Sequence, residues 1–436
     1  MNKTKDDLMD KVLSLAKRRG FVFPGSEIYG GLANTWDYGP VGSELKNNIK
    51  QLWWKMFVQR RSDVVGIDAA LLMNPKVWEA SGHLKEFSDP MVECKKCNGR
   101  FREDTLESKN CPTCGAKESF TESRQFNMML KTFLGPAEDK ANEVYFRPET
   151  AQAMFVDFKN VTQTSRVRVP FGIAQMGKSF RNEITPGNFI FRTREFEQME
   201  IEYFVKEETW AEHFEHWREE MWKWMKAVGI DENKVHELEI PDGERAHYSK
   251  RTIDFEFDYP FGRKELYGLA YRTNFDLENH EKASGENLKY RDPETKEEYL
   301  PHVIEPTWGV DRTILAVLLS AYTEDGDRIY LKFPPKIAPY TAAVSPLLAN
   351  KPELVKMARE VFEDLQKEFS VIWDDRGNIG KRYYAQDEIG TPFCITVDFD
   401  SLENKEVTVR DRDTGTQSRM PIRELQTFLR DKVLEE

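Results

Sequence analysis

The stretch GKSFRNEITPGNFIFRTREFEQMEIEYF, residues 177–204, limits the possible folds more than any other part of the chain. Its phenylalanines and isoleucines alternate with polar and charged residues, the period of a half-buried strand. TPGN, at 185–188, carries the Pro-Gly chemistry of a chain reversal. An antiparallel hairpin is therefore predicted over 179–204. Side chains two apart in a strand share a face, which groups Arg181 with Glu183 on the first arm. On the second arm it groups Arg192, Arg194, Phe196, Gln198 and Glu200. That face runs from two cations through an aromatic ring to a carboxylate, an order that suits an elongated ligand with phosphates, a flat base and an ammonium group. Cross-strand salt bridges on a solvated sheet would produce similar alternation, so the hairpin alone leaves both readings open.

Around it the pattern is that of a large mixed chain. A helix over residues 41–60 leads into VVGIDAALLMNP, an apolar strand ended by Pro75. A Trp- and Glu-rich helix over 207–229 and an acidic stretch to 248 read as an insertion. Strands follow at TIDFEFDYPF and ELYGLAYRTNFDL, and HVIEPTWGVDRTILAVLLSAY passes from strand into an apolar helix. After the Pro-rich linker KFPPKIAP, helix and strand alternate as in a small α/β domain. With 436 residues and 39% hydrophobic side chains, two or three cores are affordable. No run approaches the ~20 apolar residues of a membrane span. The first twenty residues lack a secretory signal's apolar run and form a short amphipathic helix, so a cytoplasmic chain is expected.

Four of the five cysteines fall in two pairs, Cys94-Lys-Lys-Cys97 and Cys111-Pro-Thr-Cys114, with thirteen residues between the pairs. This is the knuckle spacing of a zinc ribbon, and a closed four-sulfur shell leaves no position for a reacting water, so a structural or recognition role follows. An iron–sulfur centre is the minor alternative. Cys394 reads as a core residue. The net charge of -12 argues against wholesale coating of nucleic acid. The excess is local, with 24 acidic against 15 basic side chains between Lys206 and Glu298, which leaves room for a basic patch elsewhere.

The order of helix and strand ending at Pro75, SFRNE with its returning strand, and GVDR entering a helix resembles motifs 1, 2 and 3 of class II aminoacyl-tRNA synthetases. RRGFVFPGSEIYGG, WDYGPVG, NPKVWEASGH, RPETAQ, HYSKRTIDFEF, EPTWGVDR, KIAPY and GKRYYAQDEIGTPFCITVDFD, together with the hairpin, resemble the glycyl-tRNA synthetase family of homodimeric type along nearly the whole chain. The resemblance implies an α+β fold: an antiparallel sheet flanked by helices, a zinc-ribbon insertion and a C-terminal α/β anticodon-binding domain. The implied layout is catalytic core over 1–91, 120–205 and 251–335, ribbon over 92–119, a helical and acidic insertion over 206–250, and anticodon binding over 336–436. ATP with Mg2+, glycine and tRNA(Gly) are the implied ligands, a homodimer the implied assembly, and a structural Zn2+ the implied ribbon metal.

Roles carried over by the resemblance agree with the chemistry. Glycine activation places negative charge on the α-phosphorus, which fixed cations and Mg2+ must meet. Arg181 is the expected clamp on α-phosphate and carboxylate. Glu183 accepts from the adenine amino group, Phe196 stacks under the ring with Arg312 over its other face, and Arg192 reaches the outer phosphates. The family's ATP site further covers Asn182, Phe191, Thr193, Arg194, Glu195, Glu265, Leu266, Gly309, Val310 and Asp311, with Glu265 placed to hold magnesium. Catalysis is assigned to Arg181, Glu183 and Arg312. For glycine, the ammonium calls for carboxylates and no room for a methyl. Glu149, Glu200 and Glu305 are the candidates, with Arg102, Phe196, Glu197, Gln198, Met199, Pro306, Thr307, Trp308 and Gly309 in the implied site.

Thr307 stands where the family commonly has serine, which adds a methyl at the tightest part of the pocket; the expectation is that its hydroxyl still bonds and the methyl turns away. Three rivals stand beside this reading: a synthetase for another small amino acid, a synthetase-like RNA binder without catalysis, and a zinc-ribbon nucleic-acid binder with no enzymatic role, which leaves most of the chain unexplained. The acid-lined pocket opposes the first, and the retained Arg181, Glu183, Arg192 and Arg312 oppose the second. Trp53 and Trp54 read as helix packing or dimer interface, and His83 as polar packing. Arg410, Arg412, Arg419 and Arg423 read as a solvated face or as phosphate contacts.

Overall fold

A computed structural model describes residues 3–106, 108–246 and 248–434, so Met1, Asn2, Glu107, the last two residues and His247 of the HYSKRTIDFEF segment lie outside the described residues. The centre is a seven-stranded sheet of β1 (Val64–Ile67), β2 (Phe171–Phe180), β3 (Glu195–Val205), β4 (Val235–Glu239), β5 (Arg251–Tyr259), β6 (Gly262–Thr273) and β7 (His302–Gly309). The strand order is β4-β5-β6-β7-β3-β2-β1, antiparallel throughout except for the β2–β1 pair.

Period-two alternation splits this sheet into two different faces. Met199, Ile201 and Tyr203 of β3, with Tyr267, Leu269 and Trp308, enter one large core beneath helices α1 (Pro40–Trp54), α2 (Trp210–Ala227) and α3 (Val310–Ala321). Trp53 is fully buried there, its ring 5.6 Å from that of Trp308. Trp54 presses on β1 so closely that a Cβ on Gly66 would lie 2.1 Å from its ring. The other face carries Gln198, Glu200, Glu202, Glu305 and Arg272. It becomes apolar towards Phe171, Ile173, Phe204 and Val303, which pack under the helices Ala151–Val156 and Phe158–Thr164.

The strands of the hairpin are present, but the reversal is not tight. Register Ser179↔Phe196 joins β2 to β3, and residues 181–194 form a long loop between them. Phe189, Ile190 and Phe191 are buried in a 3-10 turn, and Asn34 donates to the carbonyls of Phe189 and Arg192. Burial of three apolar side chains outweighs the local turn preference of TPGN. Only Phe196, Gln198 and Glu200 therefore share the strand face; Arg181, Glu183, Arg192 and Arg194 are loop residues.

The apolar run before Pro75 also divides. After β1, the Ala69 N–H donates to Gln175 Oε1 at 2.8 Å and its carbonyl accepts from Arg147 at 3.0 Å, so side chains take the backbone groups that would continue the ladder. Leu72–Met73 pairs instead with Glu143–Phe146 in a separate small sheet. The segment 206–250, expected as an insertion, contributes α2 over the main core and the edge strand β4.

The C-terminal region has its own core and a five-stranded sheet. Its strands are β8 (Ala342–Pro346), β9 (Val371–Trp373), β10 (Phe393–Val397), β11 (Glu406–Asp411) and β12 (Gln417–Pro421), in the order β9-β8-β10-β11-β12. Two of its arginines are internal ties. Arg410 makes a bidentate pair with Asp387 at 2.8 and 3.0 Å, and buried Arg412 donates to the carbonyls of Gly390 and Phe333. Arg419 pairs with Asp398 and Asp400, while Arg423 is exposed. Among the described residues no helix is long and apolar enough to cross a membrane.

Candidate active site

A cavity of about 390 Å3 opens on the polar face of the main sheet, and its two ends differ in charge. At one end the loop 181–194 supplies cations. Arg181 donates from Nε to the Pro148 carbonyl at 3.0 Å, and its guanidinium lies over both Phe87 and Phe196 at 5.3 and 5.2 Å. Arg312, in the first turn of α3, lies 4.5 Å over Phe191 and pairs with Glu265 at 3.2 Å. Arg312 thus faces Phe191 and not Phe196. Glu183 is buried with one carboxylate oxygen unpartnered and Arg192 4.0 Å away. A buried acceptor without a donor suits a ligand N–H. Asp254 and Glu265 line the same end. Burial, then the charges of Glu265 and Glu256, push Asp254 up to about 7.

The other end is a nest of carboxylates. Glu200 accepts from Thr307 Oγ1 at 2.9 Å and from the Thr150 hydroxyl. Glu305 accepts from Arg272 Nη1 at 2.8 Å, and the same guanidinium holds Asp276 through two bonds of 2.8 and 2.9 Å. Glu149 accepts from Gln152 at 3.1 Å and lies 3.3 Å from His83 Nε2. Arg272 is 1% exposed and sits 3.8 Å over the Tyr248 ring. Burial alone would raise Glu149, but the neighbouring His83, Arg272 and Gln152 outweigh it and hold the group well below the usual carboxylate range. Burial and the charge of Glu149 raise Glu200, and burial likewise raises Glu305 against the pull of Arg272.

Local sequence explains how these groups come together. β3 alternates Gln198, Glu200 and Glu202 on one face with Glu197, Met199 and Ile201 on the other. Glu197 consequently pairs with Lys46 and Lys50 of α1 behind the sheet. Asp311 also works behind it, accepting from Tyr38 and from the Glu197 N–H. Gly177 leaves space for Arg147, whose Nη2 would lie 2.1 Å from a Cβ there, and Arg147 in turn donates to Gln175 Oε1.

Of the residues singled out from sequence, Glu149, Arg181, Glu183, Phe191, Arg192, Thr193, Phe196, Glu197, Gln198, Glu200, Glu265, Leu266, Glu305, Thr307, Gly309, Asp311 and Arg312 line this cavity. Asn182, Arg194, Glu195, Met199, Pro306, Trp308 and Val310 do not. Met199, Trp308 and Val310 are core residues, and exposed Glu195 pairs with Lys178. Arg102 is held by Asp89 and Asp104 at 3.0 and 2.7 Å, also outside the lining. Sequence reasoning missed Arg272, Asp276, Gln152, Thr150 and Tyr248, and left His83 as packing. One signal was available: Arg272 in LYGLAYRTNFDL is a lone cation in an otherwise uncharged strand end, and such a group needs a buried anion.

The four cysteine sulfurs lie within 4.8 Å of one another, with Cys94–Cys114 and Cys97–Cys111 separations of 3.7 and 3.6 Å. Bonds of about 2.3 Å in a tetrahedron require edges of about 3.8 Å, so the geometry fits a four-thiolate zinc site.

Comparison with known proteins agrees with the architecture. The profile described as tRNA synthetase class II core domain (G, H, P, S and T) matches residues 133–321, and that of an anticodon binding domain matches 341–432. A glycine–tRNA ligase of Bacillus cereus is 53% identical over 98% of this chain and 99% of its own length. Those of Alkaliphilus oremlandii and Clostridium acetobutylicum are 52% and 51% identical, each with 98% of both chains covered.

Proposed function

The chain belongs to the glycine–tRNA ligases of the class II synthetases, and we propose on that premise that its cavity takes ATP at the arginine end and glycine at the carboxylate end. One observation carries this division: a single cavity holds Arg181, Arg192 and Arg312 at one end and Glu149, Glu200 and Glu305 at the other. A glycine carboxylate oxygen attacks the α-phosphorus of ATP, and the bond to the bridging oxygen breaks to release pyrophosphate. Arg181, tied to the Pro148 carbonyl beside Glu149, is the arginine of that end that borders the carboxylates, where it meets both the attacking carboxylate and the phosphorus oxygens. Arg192 and Arg312 meet the outer phosphates and the base, and Glu183 accepts from the adenine amino group. The ammonium sits among Glu149, Glu200 and Glu305. In the second step the terminal ribose hydroxyl of tRNA(Gly) attacks the acyl carbon, loses its proton, and AMP leaves.

Magnesium bound with ATP supplies positive charge to the phosphate oxygens, and Glu265 with Asp254 would hold it. The cysteine module would hold one zinc as a structural unit over residues 92–119. The C-terminal domain, over 336–436, binds the anticodon arm, a role that goes with a cytoplasmic setting. A homodimer is supported by Ile28 and Tyr29, apolar side chains exposed at 88% and 87%; sedimentation equilibrium tests it.

Exchange of labelled pyrophosphate into ATP, run with each of the twenty amino acids, tests the central reading. Glycine alone should support it. Exchange with none, or with alanine or serine ahead of glycine, would overturn it.

A further inference from the structure

Glu202 lies one turn of the pleat beyond Glu200 on the cavity face of β3. It is 0% exposed, and neither carboxylate oxygen has a hydrogen-bond partner among the described residues. Its neighbours are acids: the carboxylate oxygens of Glu200, Glu202 and Glu305 lie within 4.8 Å of one another. Every other acid in the nest has a donor. Glu200 has two threonine hydroxyls, Glu149 has His83 and Gln152, and Glu305 and Asp276 share Arg272. A buried carboxylate without a donor, facing two anions, is an arrangement that a protein relieves by protonation.

We propose that Glu202 is a neutral carboxylic acid throughout the reaction and a positioning residue of the amino-acid pocket. Its single O–H proton is donated to one of the neighbouring Glu200 and Glu305 carboxylates and keeps the pair aimed at the substrate ammonium. The proton stays on Glu202 when the ammonium enters, because the incoming cation is already shared by the better-partnered acids. The role rests on the glycine reading of the cavity.

The charged groups around Glu202 come from several elements. Glu200 shares its strand, Glu305 comes from β7 and Arg272 from β6. Asp276 and His280 come from the helix Phe275–Ser284, and Glu149, paired with His83, adds its charge beside Glu200 and Glu305. Arg272 is the one fully buried cation among them, and it is committed to Asp276 and Glu305. Burial, then the charge of Glu305, raises Glu202 well above its usual range, in keeping with this geometry.

Infrared spectra of the ligand-free protein test the protonation without reference to any substrate. The difference spectrum between wild type and Glu202→Gln at neutral pH should contain the carbonyl stretch of one protonated carboxylic acid, beyond what Asp254 contributes to both; identical spectra would overturn the proposal. The positioning role is read from glycine KM in pyrophosphate exchange. Glu202→Leu removes the donor and should raise KM by about tenfold or more, the loss of one hydrogen bond to a charged group. Glu202→Gln keeps an N–H donor and should restore most of that loss. If Glu202→Gln raises KM as much as Glu202→Leu, the group acts as an anion and the proposal fails. A wild-type protein with the infrared band but no glycine-dependent exchange would instead overturn the glycine reading and leave the protonation standing.

Discussion

Arg272 Nη1 and Glu305 Oε1 meet at 2.8 Å across two neighbouring strands, with both side chains at least nine-tenths buried. The same guanidinium holds Asp276, four residues on, so one cation braces two acids beneath the proposed ammonium site. Removing one partner of a buried pair costs about 3–5 kcal/mol, because the survivors stay charged and dry. Arg272→Met should lower stability by that order in denaturant unfolding and raise glycine KM in exchange assays. Unchanged unfolding would show that water reaches these acids.

Arg181→Ala removes the cation of the arginine end that borders the carboxylates. Loss of one preorganised donor to developing charge typically costs about 10²–10³ in rate. Exchange should fall by at least that factor while circular dichroism and the unfolding midpoint hold, since among the described residues the Arg181 side chain makes a single hydrogen bond, to the Pro148 carbonyl.

Thr307 donates to Glu200, the bond expected of the family's serine. Thr307→Ser should leave glycine KM within about threefold, and Thr307→Val should raise it by roughly fivefold, one net hydrogen bond. A large gain in glycine affinity in the serine variant would show that the methyl obstructs the pocket.

Asp254 is pushed up to about 7 from 3.8, by burial first and then by Glu265 and Glu256. A carboxyl raised in the folded state binds more protons folded than unfolded, so its ionisation erodes stability as pH climbs from about 4 to 7. Asp254→Asn should therefore unfold at higher temperature than wild type at pH 8, with a gain of about 1 kcal/mol or more after allowance for partial exposure. The gain should vanish near pH 4. A pH-independent difference would show that Asp254 does not titrate in this window.

Metal analysis should return about one zinc per chain, and Cys97→Ser with Cys111→Ser should return almost none. Main-sheet unfolding should survive chelation, because the module's small core of Val92, Cys94, Phe101 and Cys111 is separate from that sheet. Coincident loss of both transitions would make the metal essential to the whole fold.

Much of this was legible from residue order. Period-two runs marked β2, β3, β5, β6 and β7, and the apolar run after GVDR marked α3. The cysteine pairs mark one cluster and the hairpin marks Arg181, Glu183, Phe196 and Glu200, whereas Glu305 joins them only through the family resemblance. These signals are local, since hydrophobic period, turn chemistry and ligand spacing each act over a few residues. Three readings needed the folded chain. Burial of Phe189, Ile190 and Phe191 turned a supposed tight reversal into a long loop. Gln175 and Arg147 ended β1 by capturing Ala69. Arg410 and Arg412 proved to be internal ties, because Asp387 and two carbonyls meet them from distant segments.

Residue order alone puts Gln198, Glu200 and Glu202 on one face of β3 and Glu197 and Met199 on the other, because a strand's side-chain period is set by backbone geometry. Which of those acids received a partner was left to the packing of distant segments. Thr150, Thr307, Arg272, Gln152 and His83 arrive from other parts of the chain, and none reaches Glu202. The energy of a buried charge depends on donors brought within hydrogen-bond reach, which strand pairing and helix packing decide.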